Sequence, residues 1–314
     1  SFAFTKCLTE VIIYMKQLKH ILTIIILSAL SVSMLSACSA SKPDESTQDN
    51  NLTVMTSFYP MYVIAENVIG DADGISLENM APPQTGCLHD YQLTPADMQL
   101  LSTADAFIIN GGGIESFLGE VAEQYPDLTI INASEQVDLI EDNAHAWMNI
   151  EAYMTQVKTI EAELSAADPA DTEQFSENAD AYLAKLSSLK EQADAVKPLT
   201  EGKNIVIFHE AYEYVAEEFG MQVSYVMDLD EERQVSAGEV ADVVRTVTDG
   251  GVRVILAEEL YGKDMGDTVE SETDAKICYL DTLVRGDYDA DSYLNAMQQN
   301  ITLLKEAFSD EKDH

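Results

Sequence analysis

The chain has 314 residues, with 17 Lys+Arg against 56 Asp+Glu for a formal net charge of -39, 46% hydrophobic residues and 4 Cys. The length fits one large domain or two ordinary ones, and the apolar fraction is enough for packed cores rather than disorder. An acidic excess of this size repels phosphate backbones and anionic headgroups, which excludes nucleic acid as a partner and favours cations and basic protein surfaces.

The first informative segment is the apolar run from Ile21 to Leu30, which follows Lys16 and Lys19. It is too short and too soon interrupted for a membrane span, so residues 1–37 are expected to be a signal peptide. Leu35-Ser36-Ala37-Cys38 matches a bacterial lipobox. Cys38 is therefore expected to become the lipidated first residue of the mature protein, held to the bilayer by more than one acyl chain. Nothing upstream of Met15 fits a signal peptide, and Met15 is the expected start of translation. Loss of residues 1–37 removes three Lys and one Glu, so the mature body is more acidic still. Residues 38–51 are polar, contain Pro43 and lack periodicity, and read as a flexible tether.

From Leu52 onward, short β-branched runs alternate with helical patterns, which is the signature of βα units around parallel sheets. Strands are expected at 53–56, 75–79, 106–110 and 128–131, and again at 205–208, 222–226, 252–256 and 276–280. Thr94-Pro95 offers an N-cap followed by a first-turn proline, and Ser236 with Glu239 forms a capping box ahead of Val240, Val243, Val244 and Val247. Between the two sets of strands, Phe175, Ala179, Tyr182, Leu186, Leu189, Ala193 and Val196 recur at steps of four and three. That spacing predicts one amphipathic helix over 168–198, about 40 Å long, acting as a rigid link between two lobes. The expected organisation is an N-terminal lobe over 52–167, the linking helix, and a C-terminal lobe over 199–314. Gly111-Gly112-Gly113 lacks both the dinucleotide spacing and a P-loop lysine, and reads as a strand-to-helix turn.

Of the five histidines, His20 lies in the signal segment and His314 is the last residue, which leaves His89, His145 and His209. His209 directly follows the predicted strand 205–208, at the carboxyl edge where α/β sheets place ligands. His89 sits in the loop after the second strand, and His145 in a loop ahead of another helix. Asp281 occupies the corresponding strand end in the second half. Three neutral imidazoles and one carboxylate form an N/O set suited to tetrahedral Zn2+. Four protein ligands leave no open position for a reactive water, which points to holding an ion rather than to catalysis.

These residues carry a family likeness. Thr56-Ser-Phe-Tyr-Pro60, Gly86-Cys-Leu-His-Asp-Tyr-Gln-Leu-Thr-Pro95, Ala144-His-Ala-Trp147, Phe208-His-Glu-Ala-Tyr212 and Tyr279-Leu-Asp-Thr-Leu283 resemble the motifs of one family. It is that of the ZnuA-type, cluster A-I solute-binding lipoproteins of zinc and manganese ABC transporters. The resemblance covers Thr53 to Phe308. It implies two (β/α) lobes joined by a rigid helix, with the ion in the cleft between them, and ligation by His89, His145, His209 and Asp281. Prolines that the family places before the first two histidines are replaced by Leu88 and Ala144, and Asn149-Ile150 replaces its Asp-Pro.

The expected function is high-affinity capture of a divalent transition metal outside the cell and delivery to an ABC permease, without enzymatic turnover. Zn2+ is the expected ion, with Mn2+ the nearest alternative because it prefers more oxygen ligands. A metal-binding surface adhesin is a further alternative. A zinc hydrolase is disfavoured by the absence of a His-Glu-x-x-His sequence. The expected location is the outer face of the cytoplasmic membrane of a Gram-positive type cell, anchored through Cys38, as a monomer. Glu210 and Asp90 are candidates for orienting the imidazoles, or are solvated loop carboxylates. Cys87 and Cys278 read as soft secondary ligands, a bridge across the cleft, or inert thiols. Because imidazole binds metal only when neutral, affinity is expected to fall as pH drops through about 6.5.

Overall fold

A computed structural model describes residues 52–229 and 233–309. The expected signal peptide, Met15, Cys38 and the tether lie outside the described residues. Eight short strands form two four-stranded parallel sheets. The first contains β1 (Leu52–Thr56), β2 (Ile75–Asn79), β3 (Ala106–Ile109) and β4 (Thr129–Asn132), in the order β2-β1-β3-β4. The second contains β5 (Asn204–Ile207), β6 (Gln222–Val226), β7 (Val254–Ala257) and β8 (Lys276–Tyr279), in the order β6-β5-β7-β8. The two orders are the same, so each half places its first strand beside its second and third. Strands β3 and β7 are buried along their whole length, as expected for parallel strands covered on both faces.

Helix starts follow local chemistry. The first helix, α1 (Tyr59–Ile69), has Pro60 in its opening turn. In α2 (Pro95–Leu101), Thr94 and Asp97 form the reciprocal capping box, with Pro95 at the first position. The third helix, α3 (Leu118–Gln124), begins five residues after Gly113, so the glycine run opens a loop rather than a direct strand-to-helix turn. All three glycines adopt positive φ. A Cβ on Gly111 would overlap the Asn132 carboxamide, and one on Gly112 would crowd Ala144. Helix α4 (Ile150–Ala167) is capped by Asn149, whose Oδ1 accepts from the N–H groups of Glu151 and Ala152. Asn149, which stands where the family has aspartate, is thus a preferred N-cap residue.

The linking helix, α5, runs from Thr172 to Thr200 rather than over 168–198. Asp168 belongs instead to the end of α4, where its N–H caps Leu164 O. Pro198 falls inside the last turn of α5, which continues past it to Thr200. The periodic residues from Phe175 to Val196 are all buried. They pack against α1, α4 and the C-terminal helix, with Thr200 Oγ1 donating to Phe219 O at the far end. The remaining helices are α6 (Tyr212–Glu218), α7 (Ala237–Gly250), α8 (Glu259–Glu272) and α9 (Ser292–Ser309).

One apolar core runs through both halves, including Val54, Phe107, Trp147, Tyr182, Ile205, Tyr212, Leu256 and Tyr293. A smaller cluster of Val206, Phe208, Met227, Val243, Ile255 and Val269 fills the outer side of the second sheet. Each fully buried side chain of this size contributes roughly 1.5–3 kcal/mol of transfer free energy. Polar bonds also tie the halves together. Trp147 Nε1 donates to Thr282 O at 2.9 Å, Tyr293 OH donates to Trp147 O at 2.9 Å, and Ile150 N donates to Glu218 Oε2 at 3.0 Å. The Tyr153 and Tyr293 rings stack at 3.7 Å. These contacts join the two halves.

Candidate metal centre

Three loops at carboxyl strand ends bring the histidines together. The first follows β2. Hydrogen bonds from Met80 N to Thr56 O and from Ala81 N to Ser57 O carry the ladder beyond the strand, and Pro82 O accepts from Thr85 N in a turn. Gly86 then takes φ +91, and a Cβ there would collide with the Arg285 guanidinium. Leu88 is fully buried while Cys87 and His89 are half-exposed, so the loop is anchored by an apolar side chain where the family has proline.

The second loop follows β4 and ends in a single 3-10 turn, Ala146–Met148. Asn143 organises it. Its Oδ1 accepts from His145 N at 3.0 Å and lies 2.8 Å from His145 Nδ1. Its Nδ2 donates to Glu210 O and to Glu213 Oε2, both at 2.9 Å. These acceptors fix the amide orientation, so Nδ1 of neutral His145 carries the proton and Nε2 presents its lone pair to the cleft. Asn110 Nδ2 donates to Ala144 O at 2.8 Å, which steadies the position the family gives to proline. Behind the loop, buried Glu115 accepts from Ser57 Oγ, Asn110 N and Gly111 N. Burial raises the Glu115 carboxyl above its ordinary range, and these bonds oppose the rise.

The third loop follows β5. His209 is fully buried, and its Nδ1 accepts from Ala211 N at 3.0 Å. Its neutral ring therefore carries the proton on Nε2 in this state.

The rings converge. His89 Nε2 lies 3.4 Å from His145 Nε2, and the His145 and His209 ring centroids are 5.0 Å apart and nearly perpendicular. Burial drives the His145 pKa well below its ordinary value, with further lowering by His209 and His89. A ring held neutral in this way is ready to bind a cation without first losing a proton. Among the described residues, two clusters have mutually close ligand atoms: Cys87, His145 and His209, and His89, His145 and Glu210. Glu210 Oε1 stands 3.8 Å from His89 Nε2 and 3.5 Å from His145 Nδ1. Its approach to His145 is through the nitrogen already turned to Asn143.

Asp281 joins neither cluster among the described residues. Its Oδ1 accepts from Leu283 N at 2.7 Å, and its N–H donates to Asn300 Oδ1 at 2.9 Å. That acceptor role stabilises a turn in which buried Leu283 takes φ +61, a costly conformation for a branched residue. Surrounding protein raises the Asp281 carboxyl, opposed by the Leu283 N–H and by Arg285, although the residue keeps a solvent-exposed edge. Asp90 faces solvent and makes no hydrogen bond or ion pair with the three rings among the described residues. Cys87 and Cys278 do not form a disulfide with each other. Burial pushes the Cys278 thiol up to about 12.

Residues 54–307 match the family model described as zinc-uptake complex component A, periplasmic. The chain belongs to this family. It is 27% identical over 304 residues to the high-affinity zinc uptake system protein ZnuA of Bacillus subtilis, covering 87% of this chain and 93% of that protein. It is also 27% identical over 275 residues to the manganese-binding lipoprotein MntA of Halalkalibacterium halodurans, covering 84% and 91%. Among solved structures, the solute-binding protein FpvC of Pseudomonas aeruginosa in complex with Ni2+ superposes with a TM-score of 0.75 at 26% identity, covering 83% of this chain and 98% of that one. Family membership agrees with the two-sheet α/β fold and the solute-binding class expected from the motifs. Asn143 is the residue of the site that motif reading passes over. Its signal is a short amide two positions before a histidine, a spacing at which Asn side chains bond to nearby backbone.

Proposed function

We propose that the chain captures a divalent transition metal outside the cell, Zn2+ ahead of Mn2+, and delivers it to the permease of an ABC transporter. The observation that supports this most strongly is the convergence of His89, His145 and His209, from three separate loops, in one cleft. Three imidazoles favour zinc over manganese, whose sites are richer in oxygen. The relatives named for zinc uptake and for manganese binding support the class of cargo.

In this reading the ion enters from the mouth of the cleft beside half-exposed His89 and meets His145 with its lone pair already presented. Binding at His209 Nε2 requires that nitrogen to give its proton to water and Nδ1 to take one up from water, which displaces the Ala211 N–H from Nδ1. Glu210, held near both His89 and His145, offsets the positive charge that arrives. Lipidation at Cys38 keeps the body, a monomer, at the outer face of the cytoplasmic membrane of a Gram-positive type cell, close to the permease. The strongly acidic body raises the local cation concentration around the cleft.

Elemental analysis of the purified chain, with competitive Zn2+ and Mn2+ titration, tests the proposal. The expected result is one equivalent of tightly held Zn2+ that is lost in His145→Ala. No bound transition metal, or equal binding by wild type and His145→Ala, would contradict it.

A further inference from the structure

We propose that Cys87 supplies the fourth ligand of this site, so that the ion is held by three imidazoles and one thiolate while Asp281 serves its turn instead. This rests on the reading above that the three histidines hold a divalent transition metal.

Geometry carries the argument. Cys87 Sγ lies 3.7 Å from His145 Nε2 and 3.9 Å from His209 Nε2, and His145 Nε2 is in turn 3.4 Å from His89 Nε2. Ligands at about 2.0–2.1 Å for nitrogen and about 2.3 Å for sulfur around tetrahedral zinc are separated by roughly 3.3–3.6 Å. These three separations are close to such edges, and the set is completed by drawing together two clusters that share His145, one holding Cys87 and the other His89. The backbone also favours this placement. Leu88 is sunk in the core, and the residues on either side of it, Cys87 and His89, both reach the histidine cluster. Gly86 lets the chain pass beneath Arg285 at the point where Cys87 turns inward.

Asp281, by contrast, lies outside both ligand clusters, and its Oδ1 accepts from the Leu283 N–H. Glu210 approaches His145 on its Nδ1 side, away from the Nε2 that faces Cys87 and His89. On binding, the Cys87 thiol gives its proton to water as the sulfur–metal bond forms. A thiolate is a soft ligand that suits zinc and works against manganese, so Cys87 becomes the residue that sets the choice of ion. Cys278, buried in β8 of the second sheet, belongs to neither ligand cluster and serves as a control.

Titration of the full chain with Co2+ reads the ligand type directly, because a cobalt–thiolate bond adds a near-ultraviolet charge-transfer band to the visible bands of the bound ion. Wild type, Cys278→Ser and Asp281→Asn are expected to show both sets of bands, and Cys87→Ser only the visible ones. In parallel, Cys87→Ser is expected to lose roughly tenfold or more in Zn2+ affinity with little change for Mn2+. Visible bands without charge transfer in wild type overturn the Cys87 assignment and leave the histidine site standing. So does a charge-transfer band that persists in Cys87→Ser or disappears in Asp281→Asn. No binding of Co2+ or Zn2+ by wild type overturns the metal site itself. The wild-type spectrum decides the matter even if a variant fails to fold.

Discussion

The two halves of the molecule share one strand order but contribute unequally to the site. In the first half, the loops after β2 and β4 deliver Cys87, His89 and His145 to the cleft. In the second, the loop after β5 delivers His209 and Glu210, while Asp281 after β8 is turned to the backbone of its own loop. His145 and Asp281 follow the last strand of their respective sheets, so topology alone offers them similar roles. Their hydrogen bonds separate them. Asn143 turns His145 inward, whereas Asp281 Oδ1 accepts from the N–H of Leu283 in its own strained turn. A repeated fold therefore supplies equivalent positions, and the local bonding of each loop decides which become ligands.

That contrast is broken most sharply by removing its inward-facing member. His145→Ala is expected to reduce Zn2+ affinity by more than about 100-fold, measured by chelator competition, since even supporting residues around a metal are worth 10–100-fold. Asn143→Ala leaves all three imidazoles in place but frees the His145 ring, and is expected to cost roughly 10–100-fold in the same assay. An unchanged affinity would mean that Asn143 does not orient the ligand.

The join between the halves gives a smaller effect on stability. Trp147→Phe removes the Nε1–H that reaches Thr282 O and leaves that carbonyl without its indole donor, which is expected to cost about 1–3 kcal/mol in denaturant unfolding.

The smallest effect concerns pH. Burial keeps folded His145 neutral below the imidazole value of about 6.5. Below that pH the unfolded chain takes up a proton that the fold refuses, so metal-free stability falls by at most about 1.4 kcal/mol per pH unit until the folded ring titrates. Glu115 and Glu218, whose carboxyls burial raises, act with the opposite sign. Comparing wild type with His145→Gln between about pH 7.5 and 5.5 isolates the imidazole contribution, which the variant is expected to lack.

Much of this was legible in the sequence. β-branched runs gave the parallel strands, and β2 and β6, edge strands that alternate half-buried and exposed positions, fall at their expected bounds. The capping pairs at Thr94 and Ser236 were readable because they are contained within four residues. The linking helix shifted to Thr172–Thr200 because Asp168 closes α4 and Pro198 is tolerated in a final turn. The three histidines could be singled out by loop or strand-end position, but the direction each side chain takes could not. Asp281 and Cys87 illustrate this: each lies within a family motif, and only the Leu283 turn and the burial of Leu88 show which faces the rings. Leu88 and Ala144, which depart from the family's prolines, are steadied respectively by core packing and by the Asn110 carboxamide.

The account stands on three imidazoles sharing one ion. X-ray absorption at the zinc edge of protein loaded with one equivalent of Zn2+ tests this directly. It is expected to show three imidazole rings around the metal, with the remaining ligand resolved as sulfur or oxygen. A coordination shell with fewer than three imidazoles, or zinc that washes away on gel filtration, would contradict it.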